Sequence, residues 1–109
     1  MGKTLCFDFD DTLYHRSTGE PIAGAAEALR QLHTDGYTIL ISSSRMNPEL
    51  WGDLVQFREK EIVEWMKTHK IPYDKIVSFK PAADLYIDDK ALRFEGDWEK
   101  TLEEITKKA

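Results

Sequence analysis

The stretch Leu5-Cys6-Phe7-Asp8-Phe9-Asp10-Asp11-Thr12-Leu13 places an apolar run directly before three carboxylates. The run is typical of a buried strand, and on an extended chain Asp8 and Asp10, two residues apart, point to one side. Burying an unpaired carboxylate is costly, so three together imply a bound cation or a site open to water. Hard divalent ions such as Mg²⁺ prefer oxygen ligands, and the stretch therefore predicts a cradle for such an ion.

The spacing of the two aspartates limits how they can share that ion. Same-face neighbours on a strand are about 6.6 Å apart, whereas two ligands of one Mg²⁺ lie within about 4 Å of each other. One carboxylate would therefore bind metal and attack, while the other offers its backbone carbonyl and keeps its side chain for proton transfer. The alternative is an Asx-type turn capped by Asp10, Asp11 and Thr12. The stretch alone leaves both interpretations open.

Length and composition favour one domain over residues 1–109. The hydrophobic fraction of 41% suffices for one core without an independent lid domain. The mean hydropathy of -0.50, the lack of an apolar run of roughly 18 residues and the lack of a signal-peptide pattern predict a cytoplasmic protein without membrane contact. The net charge of -5 disfavours broad binding to nucleic acid. The single cysteine, Cys6, is expected to be a buried, inert thiol.

Strand-like and helix-like segments alternate along the chain. Strands are predicted at Thr4–Phe7, Thr38–Ile41, Lys75–Val77 and Leu85–Ile87. A first helix, with apolar residues from Ile22 to Leu32, should end at a Gly36 cap. Most of Ser42–Gly52 is expected to be loop. This order of elements predicts an α/β fold with a doubly wound parallel sheet.

Two further helices complete the prediction. The second runs from about Asp53 to Lys70, with Asp53 and Gln56 as a capping box and an apolar stripe. That stripe comprises Val55, Ile62, Trp65, Met66 and His69. The last helix starts at Asp97, and a short edge strand at Phe94 is possible before it. Its inward-facing residues are expected to be Trp98, Leu102 and Ile105.

Polar residues follow each predicted strand, where parallel sheets bind their ligands. These are Asp8 and Asp10, then Ser42 and Ser43, then Lys80, then Asp88 and Asp89. Each group has an ordinary explanation, namely a solvated turn, a polar loop or a surface lysine. Together they predict one site, in which Lys80 holds a phosphate and a serine hydroxyl, assisted by Arg45, grips a phosphate oxygen.

These motifs resemble those of the haloacid dehalogenase superfamily of phosphatases. The stretch from Asp8 to Thr12 matches its DxDxT signature, and the serine, the lysine and the Asp88-Asp89 pair follow in the order of its other three motifs. The first motif is strongly specific, the others are weak singly, and the resemblance covers essentially the whole chain. It implies a Rossmann-like core with strand order 3-2-1-4 and a Mg²⁺-dependent phosphomonoester hydrolase.

The resemblance also implies a role for each matching residue. Asp8 would be the nucleophile that forms an aspartyl-phosphate, and Asp10 the general acid and then the general base. Lys80 would stabilise the transferring group. Ser43 would bind the phosphoryl group, with Ser42 as the alternative register.

The metal site follows from the same resemblance. Mg²⁺ would be held by Asp8, the Asp10 carbonyl and Asp89, with Asp88 beside it. Phosphoryl transfer asks for little beyond such positioning and charge stabilisation.

The chain resembles the members of this superfamily that lack a cap domain. Residues 13–24 leave room only for a connection, and residues 42–75 for one helix and a loop. Such members tend to act on large substrates that cover the site, or to borrow a neighbouring subunit of a homo-oligomer as a lid.

Two segments are candidates for the rim of the site. Tyr14, His15 and Arg16 follow the first motif and would contact substrate, unless they are ordinary surface residues. The Met46–Gly52 loop is the second candidate, although packing of Trp51 beneath that loop is the favoured interpretation.

The sequence does not specify the phosphorylated substrate. A sugar phosphate, another phosphometabolite, a nucleotide, a phosphoprotein and a nucleic-acid end all remain open, and the acidic charge makes the last less attractive. A phospho-accepting receiver domain is the alternative from a different class. Receivers, however, carry the phosphorylated aspartate after the third strand, which disfavours that interpretation. An inactive scaffold is disfavoured because every chemical position is filled.

Overall fold

The computed structural model describes residues 2–108, which form a four-stranded sheet and four α-helices. The strands are β1 (Thr4–Asp8), β2 (Thr38–Ser42), β3 (Lys75–Val77) and β4 (Leu85–Ile87). The helices are α1 (Ala25–Thr34), α2 (Pro48–Trp51), α3 (Val55–Thr68) and α4 (Trp98–Lys108). Among residues 2–108, no helix combines the length and the apolar character needed to cross a membrane.

All four strands are parallel and lie in the order β3-β2-β1-β4. The predicted α/β class and strand order are therefore confirmed, and the chain has a Rossmann-like core. Strands β3 and β4 have the predicted bounds, while β1 and β2 each continue one residue further. That extra residue matters, because Asp8 and Ser42 form the last pair of the central ladder. At the carboxyl edge of the sheet, the carboxylic acid residue Asp8 therefore lies beside the hydroxyl residue Ser42.

One hydrophobic cluster joins the sheet to helices α1 and α3. The fully buried side chains include Ile39 and Ile41 from β2 and Ile62 and Met66 from α3. Each such side chain contributes about 1.5–3 kcal/mol relative to exposure. The predicted stripe of α3 is confirmed at these two positions. Phe9, from the turn after β1, is also fully buried and anchors that turn to the core.

Two helices end in the same backbone motif. At the end of α1, Gly36 has a φ of 91°, and the Tyr37 N–H donates to the Leu32 carbonyl at 3.1 Å. Gly36 is therefore the predicted glycine cap, in a Schellman arrangement. At the end of α3, Lys70 has a φ of 56°, and the Ile71 N–H donates in the same way to Met66. A lysine in a left-handed conformation has no sequence signature, and the motif was not predicted there.

The segment between β2 and α3 is more helical than predicted. Ser44–Met46 is a 3₁₀ turn, Pro48–Trp51 is α2, and Gly52–Leu54 is a second 3₁₀ turn. The prediction of a loop over most of Ser42–Gly52 is therefore wrong. The Asn47 side chain accepts from the Glu49 N–H at 2.9 Å, which satisfies one of the free donors at the start of α2.

The predicted start of α3 is also wrong. The helix begins at Val55 and has Leu54 as its cap, with no side-chain hydrogen bond there. Asp53 and Gln56 therefore form no capping box. A chain already turning as a 3₁₀ helix leaves no free helix end for Asp53 to cap.

Helix α4 starts as predicted but does not face inward. The Asp97 carboxylate accepts from the Lys100 N–H at 3.1 Å, as a helix cap does. The three residues predicted to face inward are exposed, Trp98 at 71%, Leu102 at 60% and Ile105 at 42%, and none of the described residues of α4 is buried. Phe94 belongs to no strand and packs on Trp98, with ring centres 4.9 Å apart. An amphipathic pattern marks an apolar face but does not determine what covers it.

Candidate active site

The turn after β1 determines where the acidic residues lie. The Phe9 carbonyl accepts from the backbone N–H groups of Leu13 and Tyr14, each at 3.0 Å. Asp11 adopts a φ of 59°, a left-handed conformation that aspartate tolerates better than most residues. Its carboxylate accepts from the Arg16 N–H at 2.9 Å. The Asp11 side chain thus closes the turn through the backbone of Arg16, whereas Asp8 ends the strand and remains available for chemistry.

Three carboxylates meet at the carboxyl edge of the sheet. Asp8, Asp88 and Asp89 each present an oxygen atom, and these atoms lie within 4.8 Å of one another. Asp8 is half-buried at the end of β1, and the other two are exposed just after β4. The fold therefore joins the first and fourth predicted motifs across the β1–β4 ladder. An all-carboxylate set of donors suits a hard cation such as Mg²⁺ rather than Zn²⁺ or copper.

The surroundings of Asp8 disfavour its ionised form. Burial, followed by the nearby charge of Asp88 and by the hydrogen bond and charge of Asp89, raises the pKa of Asp8 to about 7. The charge of Asp10 acts in the same direction. A divalent cation at these carboxylates would reverse the balance and favour ionised Asp8.

Asp10 lies outside this group of three carboxylates. Its carboxylate accepts from Arg45 Nη2 at 2.8 Å, and both side chains are only 13% exposed. The Arg45 guanidinium carbon lies 5.1 Å from the Phe9 ring centre and 4.8 Å from that of Tyr14. Burial alone would lower the pKa of Arg45, but the hydrogen bond and charge of Asp10 raise it. Arg45, predicted to assist phosphate binding, is thus committed to Asp10 in this structure.

A cavity of about 400 Å³ opens beside the three carboxylates. Its walls include residues from the carboxyl ends of all four strands. The sequence-predicted residues among them are Asp8, Ser42, Ser43, Lys80 and Asp88. Four motifs that are far apart in the sequence therefore share one cavity. Asn47, from the Met46–Gly52 segment that was predicted as a candidate rim, also lines it.

The two candidate serines have different surroundings. Ser43 is 4% exposed, and its Oγ accepts from the Arg45 N–H at 3.1 Å. A hydroxyl that accepts one bond still has its own proton to donate, so Ser43 can bind a phosphoryl oxygen. Ser42 lies beside Asp8 in the ladder and lines the same cavity. Cys6 is buried as predicted, and that burial raises the pKa of its thiol.

Lys80 lies in the loop after β3, where its ammonium group meets an aromatic face. Its Nζ is 4.5 Å from the centre of the Tyr86 ring, and the Tyr86 hydroxyl donates to the Pro81 carbonyl. Both Lys80 and Tyr86 line the cavity. The Tyr86 ring therefore holds the Lys80 ammonium group at the cavity that Asp8 also lines, without neutralising the charge of the ammonium group.

The predicted rim residues separate into different environments. Tyr14 packs against Phe9, with ring centres 5.1 Å apart, and is part of the core rather than a free contact. His15 is exposed and hydrogen bonds to Ser17 at 3.0 Å. Arg16 is 60% exposed, and its Nε lies 3.7 Å from the Asp11 carboxylate.

Arg16 and Asp10 also line a second cavity, of about 320 Å³. Trp51, at the end of α2, is another of its walls. The guanidinium carbon of Arg58 lies 4.3 Å from the Trp51 ring centre, so Trp51 packs on a charged group. Arg58 was not predicted as a site residue, since nothing in its helical spacing distinguishes it from a solvated arginine.

Comparison with known proteins supports the fold without naming an activity. No protein-family model and no curated protein matches the chain. A solved structure of a conserved protein from Bacteroides thetaiotaomicron is similar, with 25% identity and a TM-score of 0.67 over 100% of this chain and 93% of that one. A solved structure of a target protein from Vibrio cholerae is also similar, with 30% identity and a TM-score of 0.60 over 98% and 99% of the two chains. The chain therefore belongs to one family with the Vibrio cholerae protein.

Proposed function

We propose that the protein is a Mg²⁺-dependent phosphomonoester hydrolase of the haloacid dehalogenase type, acting through an aspartyl-phosphate on Asp8. The observation that carries the proposal is the grouping of the Asp8, Asp88 and Asp89 carboxylates beside a cavity that Asp8 and Asp88 line together with Ser43 and Lys80. Each of these residues alone has an ordinary explanation. A nucleophile, a set of metal ligands, a hydroxyl donor and a cation together are the parts that phosphoryl transfer needs.

The proposed reaction has two displacement steps. In the first, a carboxylate oxygen of Asp8 bonds to phosphorus, the ester P–O bond breaks, and Asp10 gives its proton to the leaving oxygen. In the second, Asp10 takes a proton from water, the water oxygen bonds to phosphorus, and the bond to Asp8 breaks to release inorganic phosphate. The Ser43 hydroxyl donates to a phosphoryl oxygen, and Lys80 offsets the charge of the transferring group.

The metal site in this proposal consists of Asp8, Asp88 and Asp89, with the Asp10 carbonyl as a further ligand. When bound, Mg²⁺ would offset the charge of Asp8 and of the phosphoryl oxygens. The raised pKa of Asp8, about 7, supports this role, because three carboxylates this close need a cation if all are to be ionised near neutral pH.

The Asp10–Arg45 pair constrains the proposed proton-transfer step. A carboxylate that accepts from Arg45 at 2.8 Å must leave that hydrogen bond before it can take a proton from water. To act as an acid, Asp10 must carry a proton and turn from Arg45 towards the leaving oxygen. We infer that exchange between these two arrangements accompanies each turnover.

The same pair also gives weight to a second candidate function. If Asp10 stays with Arg45, a phosphate placed on Asp8 has no base to activate water and persists. The protein would then be a phospho-accepting signalling domain rather than a hydrolase. The lifetime of the phosphoenzyme separates the two functions.

The substrate proposed is a sugar phosphate or another phosphometabolite in the cytoplasm. A nucleic-acid end or a phosphoprotein is the alternative substrate, and a neighbouring subunit is a possible lid over the open site. These assignments follow from the resemblance and from the charge of -5, which disfavours a polyanionic substrate.

The test is hydrolysis of 4-nitrophenyl phosphate and of a phosphometabolite panel with Mg²⁺, comparing the unaltered protein with Asp8→Asn. We expect Asp8→Asn to lose at least about a thousandfold in turnover, because no other group can form the covalent intermediate. Asp53→Asn, on the exposed turn before α3, is the matched control and should keep full activity. Undiminished turnover in Asp8→Asn would remove Asp8 as nucleophile. A phosphoenzyme that persists for hours in the unaltered protein would favour the signalling function.

A further inference from the structure

The second cavity, of about 320 Å³, is lined by Asp10, Arg16, Ser44, Arg45, Trp51 and Arg58. We propose that this arginine cavity binds a second anionic group, a phosphate or a carboxylate, of a small substrate whose scissile phosphoryl group lies at Asp8. The proposal rests on the proposed hydrolase function and adds to it a class of substrate, namely small bis-anionic phosphate esters.

The cavity has more hydrogen-bond donors than the protein itself uses. Each guanidinium carries five N–H donors. Arg45 donates from Nη2 to the Asp10 carboxylate at 2.8 Å, and its Nη1 lies 3.8 Å from the Glu61 carboxylate. Arg58 has its Nη1 2.7 Å from the same Glu61 carboxylate. Within residues 2–108, the Arg16 side chain has one ion pair, an exposed contact at 3.7 Å with Asp11, which is too long and too solvated to hold it.

Two donors at this cavity lack any acceptor among residues 2–108. They are the Nε of Arg58 and the Nε1 of Trp51, and both atoms are buried. The two side chains are stacked, with 4.3 Å between the guanidinium carbon and the ring centre. Buried donors without acceptors are uncommon because they have lost water and gained nothing in return. Because these two atoms are buried, an anion in the cavity meets the exposed part of the Arg58 side chain, which is 22% exposed, and reaches the two buried donors only if the stack shifts.

The location of the cavity relative to the catalytic residues indicates which part of the substrate it receives. Ser44 lines both this cavity and the one beside Asp8, so the two are adjacent. Asp10, the proposed proton donor to the leaving oxygen, lines the arginine cavity. The remainder of the substrate is attached to that oxygen and must therefore extend past Asp10. The part of the substrate beyond Asp10 therefore reaches Arg16 and Arg58.

The size of the cavity and the charge of the chain favour a small substrate. A volume of about 320 Å³ lies at the lower end of small-molecule sites. A polyanion would need a longer row of cationic side chains to bind. The net charge of -5 disfavours the binding of a polyanion. A single phosphate or carboxylate, by contrast, matches the fork geometry of one or two guanidinium groups.

The experiment compares bisphosphates of linear alkanediols, from three to six carbons, with the monophosphates of the same diols. For the chain length that spans both cavities, kcat/KM of the unaltered protein should favour the bisphosphate by about 10- to 100-fold, the usual effect of a charged hydrogen bond. Arg58→Gln and Arg16→Gln should each reduce that preference, mainly through KM. Arg93→Gln, an exposed arginine outside both cavities, is the matched control and should retain it.

The outcomes separate this proposal from the proposed function. Hydrolysis of the monophosphates without any preference for a bisphosphate would overturn the anion site and leave the hydrolase standing. If neither series is hydrolysed, calorimetry of butanediol bisphosphate with the unaltered protein and with Arg58→Gln decides. Binding that Arg58→Gln weakens about tenfold or more supports the site, and undetectable binding overturns it. Faster turnover of a 5′-phosphorylated oligonucleotide, unchanged in Arg58→Gln, would overturn the small-substrate assignment.

Discussion

The carboxylate of Asp10 lies 2.8 Å from Nη2 of Arg45, while the neighbouring acid of the motif, Asp8, groups with Asp88 and Asp89. Two aspartates two residues apart in the sequence are thus divided between an arginine and an acidic cluster. The division separates an anion available for a metal from one whose charge is already balanced. The two carboxylates therefore have different surroundings, which is consistent with the prediction that they have different tasks.

The Asp10–Arg45 pair should contribute measurably to stability. Removing one partner leaves the other charge at 13% exposure without compensation, so Arg45→Gln should cost about 3 kcal/mol of unfolding free energy. In a double-mutant cycle with Asp10→Asn, the coupling should be about 1–3 kcal/mol. Urea denaturation of the four proteins measures both quantities. Strictly additive losses would mean that the pair is not coupled in solution.

In the metal-free protein, the stability that Asp8 contributes should fall as the pH rises from about 4 to about 7. The folded pKa of Asp8, about 7, lies above its ordinary value of 3.8, so the folded state holds a proton that the unfolded state releases. This contribution is complete below the lower value and is lost as the pH passes the upper one. Other carboxylates titrate in the same range, so the measured quantity is the difference between the unaltered protein and Asp8→Asn. Parallel stability curves for the two proteins would contradict the shift.

Binding of Mg²⁺ should raise the melting temperature through Asp88 and Asp89. At a Mg²⁺ concentration about ten times Kd, stabilisation is about 1.4 kcal/mol, or roughly 5–10 °C for a domain of this size. Asp88→Asn and Asp89→Asn should each weaken that response, whereas Asp53→Asn should preserve it. Thermal denaturation with and without Mg²⁺ makes the comparison. An unchanged response in both ligand variants would place the ion elsewhere.

Ser43 and Ser42 should differ when each is replaced by alanine. Ser43→Ala removes the acceptor of the Arg45 N–H and should cost about 1 kcal/mol. It also removes the proposed donor to the phosphoryl group, so KM should rise as well. Ser42→Ala leaves both the acceptor of the Arg45 N–H and the proposed donor in place and should have the smaller effect on KM. Steady-state kinetics with one monoester settles the register, and a larger KM effect at Ser42 would reverse the assignment.

Lys70→Gly should stabilise the protein by about 0.5–1 kcal/mol, because glycine adopts a positive φ without steric cost. Lys70 has a φ of 56° at the end of α3. Its carbonyl accepts from Arg30 Nε at 3.0 Å, a bond that the substitution retains. Lys67→Gly, inside the last turn of α3, is the matched control and should lower stability by about the same amount. Melting temperatures that fall in both variants would contradict the backbone assignment.

Much of the fold could be predicted because its signals are local. The apolar runs at Lys75–Val77 and Leu85–Ile87 are short enough for their ends to be read directly from neighbouring polar residues, and the strands have those bounds. The order of strand and helix patterns limits the topology, since consecutive parallel strands need a crossover. Helix ends were predicted where a residue has one dominant role, as at Gly36 and Asp97.

The predictions that were wrong or missing concern features that residues adjacent in the chain do not determine. Asp53 is a good capping residue, but the 3₁₀ turn at Gly52–Leu54 leads straight into α3. Trp98 begins an amphipathic helix, yet nothing in that pattern states that the facing surface will cover it, and it is 71% exposed. The arginine cavity was missed for a related reason. The stacking of Arg58 on Trp51 depends on the angle between α2 and α3, which no residue pattern encodes.

The sequence by itself determined that acids, hydroxyls and a lysine follow successive strands of a parallel sheet, because strand pattern and connection depend on residues adjacent in the chain. Only the tertiary structure decided which of these groups meet. Asp10 and Arg45 are 35 positions apart and contact each other, while Asp8 joins carboxylates from the fourth strand. The physical reason is that charge–charge energy depends on distance through space and on burial, and the packing of the whole chain sets both.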